Sequence, residues 1–148
     1  MTTYVQNKKA GFDYEILEKF EAGISLLGTE VKSVRKGQGK LDGAYVIVRG
    51  GEAFLVGASI PAFQKKNAPE DYDPERPRKL LFSAKELVKL HEESERHGLT
   101  IVPIRLYNSG QLLKLEVAIA RGKKKYDKRE TIKERDVKRT LGRLLKGR

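Results

Sequence analysis

The chain is 148 residues long, 39% hydrophobic and 34% charged, which supports one modest core under a very polar surface and is too short for two independent cores. It has no cysteine, which excludes disulfides and thiolate chemistry, and its longest apolar runs, such as residues 44–48, are strand-sized where a membrane helix needs about 18 apolar residues. The formal net charge of +11 is lopsided: residues 121–148 carry 13 Lys and Arg against 4 Asp and Glu, while residues 1–120 carry 18 against 16.

Such a distribution describes a nearly neutral body with a cationic extension. Polyanions are its natural partners, because each neutralised phosphate releases condensed counterions. A solubilising tail, or one that binds anionic lipid, accounts for the same charge and stays open at this level. The opening residues 1–6 lack the apolar stretch of a secretory signal, so the expected location is the cytoplasm, with no membrane partner.

In chain order, Asn7, Lys8 and Lys9 come first, either as a basic patch that donates to phosphate and sugar or as a frayed terminus. Phe12, Tyr14 and Ile16 then alternate with Asp13, Glu15 and Leu17, the period-two pattern of a half-buried strand. Extended chain continues through residues 24–27. Thr29 is the N-cap candidate of a short helix that holds Val31 and Val34 and ends near Arg35, before Gly37 and Gly39. Gly50-Gly51 marks a hairpin between residues 44–49 and 52–60.

Residues 61–78 hold four of the five prolines together with Glu70, Asp71, Asp73 and Glu75, and read as a long, mobile surface loop. Ser83 and Glu86 form a capping box that opens a helix with Leu87, Leu90 and His91 toward the core and Gly98 as its stop. Asn108-Ser109-Gly110 joins two more strands, residues 99–107 and 111–120. The expected fold is mainly β with short helices: a small, closed or partly open barrel of the oligonucleotide-binding type over residues 1–120.

Past that body the pattern changes. A capping box at Asp127 and Glu130, a Glu134–Lys138 pair and an apolar stripe of Val137, Leu141, Leu144 and Leu145 predict an amphipathic helix. Its like charges are expected to keep residues 121–148 disordered alone and helical on a partner, with packing against the chain's own body as the competing arrangement.

Catalytic readings fare poorly. His91 and His97 are six apart on one predicted helix and do not share a face, so they do not jointly ligate a metal. An Mg²⁺ site made of Glu70, Asp71, Asp73 and Glu75 would suit a ribonuclease, but a Pro-rich loop offers no rigid cage. No serine has a plausible base, and residues 35–40 lack Walker spacing. No enzyme activity, metal or cofactor is expected. Glu21 reads as a solvent-facing strand carboxylate or an acceptor for base amino groups, and Lys114 as a surface charge or a phosphate contact.

The segments Phe20-Glu21-Ala22-Gly23-Ile24, Gly28-Thr29-Glu30-Val31-Lys32-Ser33, Arg78-Lys79-Leu80-Leu81, Ala120-Arg121-Gly122-Lys123-Lys124 and Asp127-Lys128-Arg129-Glu130 onward to Asp136 resemble the small protein B family. These are bacterial proteins that bind transfer-messenger RNA. The resemblance runs from about Asn7 to the C-terminus, and the combination of segments is highly specific. It implies an oligonucleotide-binding barrel that grips the tRNA-like domain of transfer-messenger RNA and accompanies it into stalled ribosomes; a constitutive ribosome-associated RNA-binding protein is the alternative, and a monomer is expected.

By that resemblance Glu21, Leu81 and Lys114 match positions needed for RNA binding, with Leu81 supporting the surface rather than touching a nucleotide. Asn7, Lys8, Lys9 and Lys32 fall in segments that resemble the family's RNA-facing edge. Gly122, Lys123, Lys124, Asp127, Lys128 and Arg129 match the tail that enters the decoding centre and empty mRNA channel, and Leu144 and Leu145 match an apolar pair near its end. Two positions depart from the family pattern: Phe12 stands where members often carry His, and Val137 where they usually carry Trp.

Overall fold

The structure, a computed structural model, describes residues 2–64 and 70–123. Its strands are β1 (Thr3–Gln6), β2 (Tyr14–Ile24), β3 (Tyr45–Arg49), β4 (Glu52–Val56), β5 (Arg78–Leu81), β6 (Leu99–Ser109) and β7 (Leu112–Gly122). They form one antiparallel sheet in the order β1-β6-β7-β2-β5-β4-β3. Three helices accompany it: α1 (Ala10–Asp13), α2 (Gly28–Arg35) and α3 (Ala84–Ser94). The fold is therefore mainly β with short helices. β3, at one end of the ladder order, comes up against β6, and α3 lies against both.

Three strands of eleven residues, β2, β7 and β6, make the backbone of the sheet. Period-two alternation turns Ala22, Leu115, Val117, Ile119 and Leu106 into the buried core, where Leu55, Leu80 and Leu90 of other elements join them. The opposite side of the same strands carries Glu21, Lys114 and Glu116. Both foreseen hairpins close through two-residue turns: Arg49 pairs with Glu52 and Ser109 with Leu112. Gly50, Gly51 and Gly110 adopt the positive φ such turns require.

One irregularity interrupts the register of β6. Pro103 pairs with Val117 and Arg105 with Glu116, so Ile104 is an extra residue, a β-bulge beside a proline that has no N–H to give the ladder. Asn7 serves the bulge. Its side-chain amide donates to the Pro103 carbonyl at 2.9 Å, and its backbone N–H donates to the Ile104 carbonyl at 2.8 Å.

Several expectations are corrected. Phe12 lies in α1, and the strand begins at Tyr14, because a single helical turn and a strand start share the same short apolar spacing. Thr29 does not cap α2. Leu27 occupies the N-cap, the Glu30 carboxylate accepts the Leu27 N–H at 2.8 Å, and the Thr29 hydroxyl instead accepts the Phe63 N–H. Ser83 does cap α3, with the reciprocal Glu86 bond, but His91 is exposed beside Glu95 rather than core-facing. β1 and β5 are additional strands. β7 runs through Gly122, so residues 121 and 122 belong to the sheet rather than to the extension.

The described part of the Pro-rich segment is anchored, not free. Glu30, fully buried on α2, accepts from Arg76 and Arg78, with the Arg78 Nη2 at 2.5 Å and Nε at 2.9 Å. The Tyr72 hydroxyl stands 2.6 Å from the Ile60 carbonyl and 3.0 Å from Glu30 Oε2. Arg78, also fully buried, donates further to the carbonyls of Ala58 and Pro74. Burial alone would push the Glu30 carboxyl up. The hydrogen bonds from Arg76, the Leu27 amide and Arg78, with the Arg78 charge, outweigh it and hold the carboxyl below its ordinary value.

Candidate nucleic-acid interface

The side of the sheet turned away from the core is built from cross-strand rows. In one row Leu81 on β5 faces Gly23 on β2, Gly23 faces Lys114 on β7, and Lys114 faces Tyr107 on β6. In the next, Glu21 faces Glu116 and Glu116 faces Arg105. Residues directly opposite on adjacent antiparallel strands share a face, so the ladder brings Glu21, Leu81 and Lys114 together from three strands. Gly23 lets them approach: a Cβ there would stand 3.2 Å from the Leu81 Cβ. Leu81 is 57% exposed despite being apolar, so it lies over Gly23 as part of the surface.

Tyr107 sits under this surface, 3% exposed, and its hydroxyl donates to Glu21 Oε2. Burial, then the hydrogen bond and negative charge of Glu21, push the tyrosine hydroxyl far above its ordinary value, so it remains a donor throughout the physiological range. The Arg105 guanidinium lies 4.2 Å from the centre of the Tyr107 ring, donates to Thr3 Oγ1 at 2.8 Å and pairs with Glu116 at 3.6 Å. Lys19 approaches Glu116 at 3.9 Å, an exposed pair of little energetic weight. Tyr107, Arg105 and Glu116 were not singled out from the sequence. The register of the β6–β7 hairpin around Gly110 is the signal that would have found them.

The remaining predicted residues separate into groups. Lys8 and Lys9 are exposed just before α1, and Lys32 is exposed on α2. Asn7 does not belong with them: it is 7% exposed, and its amide group is committed to the Leu41 and Pro103 carbonyls. Gly122 ends β7. The Lys123 backbone N–H donates to the Asp13 carbonyl at 2.9 Å and its ammonium to the Gly11 carbonyl at 3.1 Å. Lys124, Asp127, Lys128, Arg129, Leu144 and Leu145 lie outside the described residues, as does the apolar stripe with Val137. Among the described residues no group of three or more His, Cys, Asp and Glu side chains is placed to hold a metal ion, and no helix is long and apolar enough to cross a membrane.

Fold and face together define a small antiparallel-β protein with a polar, mixed-charge outward face and a basic extension. The SmpB protein family model matches residues 4–147. The SsrA-binding protein of Sphingopyxis alaskensis is 51% identical over 144 residues, covering 97% of this chain and 89% of that protein. The SsrA-binding protein of Thermosipho africanus is 46% identical over 147 residues, covering 99% and 98%. A solved chain described as "tmRNA-SmpB: a journey to the center of the bacterial ribosome" superimposes with a TM-score of 0.68 at 40% identity, over 86% of this chain and 92% of that one. The chain belongs to the SmpB family.

Proposed function

We propose that this protein binds SsrA RNA (tmRNA) and acts with it in ribosome rescue, as a non-catalytic adaptor. One observation carries the assignment of the site: in a chain of the SmpB family, Glu21, Leu81 and Lys114, far apart in sequence, converge on one outward sheet face. The sheet, with β3 brought against β6 and α3 along the seam, is read as a barrel of the oligonucleotide-binding type. Its outer rows meet the tRNA-like domain.

Structured RNA is recognised mostly through backbone and shape. Lys114 supplies a cation for phosphate, Leu81 an apolar support, and Glu21 an acceptor that phosphate would repel and a base edge would not. Lys8, Lys9 and Lys32 extend the basic border, while Asn7 acts indirectly by holding the β6 bulge. Residues 124–148 carry most of the chain's excess charge; they enter the decoding centre and empty mRNA channel as a helix, with Leu144 and Leu145 on its apolar stripe.

Truncation after Lys123 tests this division of labour. Binding to the tRNA-like fragment should persist and ribosome rescue should be lost. On ribosomes the full chain should show a steeper log K against log salt slope, by about 0.7–0.9 for each phosphate contact the extension makes. Loss of fragment binding on truncation would place recognition in the extension instead.

A further inference from the structure

We propose that Tyr107 is a positioning residue that sets Glu21 as a two-oxygen acceptor for the Watson–Crick edge of an unpaired guanine. This rests on reading the outward face as the RNA interface, and it names the base chemistry that face accepts.

Tyr107 is too buried to touch RNA itself, so any influence passes through its hydroxyl. That hydroxyl crosses β7 to reach Glu21 on β2, two strand spacings or about 10 Å away. The ring has little freedom to release it. Arg105 covers one side of the ring, and Arg105 is itself held by Thr3 and Glu116. Glu21 is thereby fixed at one oxygen. Among the described residues Oε1 has no hydrogen-bond donor, and Oε2 keeps a second lone pair. Without Tyr107 the exposed carboxylate would sample several rotamers and lose entropy on ordering at a ligand.

The acceptor geometry selects among bases. Two parallel carboxylate oxygens match two parallel donors, and guanine presents them as N1–H and the N2 amino group. Adenine and cytosine set a ring-nitrogen acceptor beside their amino group, and uracil sets carbonyls on both sides of its N–H. Those acceptors would face a carboxylate oxygen and repel it. Lys114, in the adjoining row, is placed to take the phosphate of the same or a neighbouring nucleotide.

The test uses the full-length protein and synthetic tRNA-like fragments of tmRNA in which each unpaired guanosine is replaced singly by inosine, which lacks the N2 amino group. One replacement should weaken binding about tenfold, and Tyr107→Phe should weaken binding of the unmodified fragment by about fivefold. Both effects should shrink to nothing in the Glu21→Ala background, because the acceptor they act on has gone. A purely structural role for Tyr107 would persist there undiminished and would overturn the inference, as would a series in which no single inosine alters affinity. Thermal melting checks that Tyr107→Phe folds; should it not, the inosine series with and without Glu21→Ala decides the guanine assignment by itself. If Glu21→Ala and Lys114→Ala leave fragment binding untouched, the interface itself is misplaced, a failure distinct from a wrong base.

Discussion

Two carboxylates of this protein each accept from a tyrosine hydroxyl, and their circumstances otherwise could hardly differ more. Around Glu30 six donor atoms converge, from Leu27, Tyr72, Arg76 and Arg78, and no water reaches the pair it makes with Arg78. Around Glu21 a single hydroxyl donates, and the rest of the carboxylate faces outward. The first group is saturated and therefore structural: it clips the Pro-rich segment and β5 to α2. The second is held but not saturated, which is the condition for recognising something else. Similar residue types are thus left in opposite states, and the number of donors already spent distinguishes them.

The contrast can be broken most forcefully at Arg78. Arg78→Met should cost about 3–5 kcal/mol in urea unfolding, since it leaves a buried carboxylate short of its partner, whereas Glu21→Gln should stay within about 0.5 kcal/mol of the natural chain. Comparable losses would erase the distinction. Affinity should respond the other way: Glu21→Ala is expected to weaken tmRNA-fragment binding by about 1–3 kcal/mol in filter or fluorescence titrations.

Acid sharpens the same difference. The Glu30 carboxyl is lowered in the folded state, so its contribution to stability is complete above the unfolded value, about 4.3 for glutamate, and is lost as pH falls from there through the folded value. Urea midpoints taken from pH 7 down to pH 3 should drop more steeply for the natural protein than for Glu30→Gln. The smallest expected effect is at Lys32, where Lys32→Ala should weaken RNA binding evenly across sequences and flatten the salt slope by about 0.7–0.9.

Much of the fold was legible locally. Gly50-Gly51 and Gly110 announced their hairpins, and Ser83 with Glu86 announced α3, because in each case the chemistry lies within four residues. β5 was not legible. Arg78 reads as the end of the Pro-rich loop, and it is tolerated in the interior only because Glu30, 48 residues earlier, meets it there. Of the outward face, Glu21, Leu81 and Lys114 came from family resemblance rather than from pattern. Tyr107 escaped because its partner is 86 residues away, and only strand register connects them. Asn7 was read as a surface donor since composition cannot reveal that a bulge will need its amide.

That bulge has a consequence for how the chain tolerates length changes. Strand residues look alternately to two sides, so a count of residues is also a choice of side. Pro103 opposes Val117 and Arg105 opposes Glu116, so Ile104 is surplus to the alternation: without it the ladder would run straight from Pro103 to Arg105, with Arg105 and Tyr107 still on the side of Glu116 and Lys114. Removing Ile104 would therefore straighten β6 and keep its outward side chains in place, and Asn7, by occupying the carbonyls of the odd residue and its neighbour, is what secures the insertion.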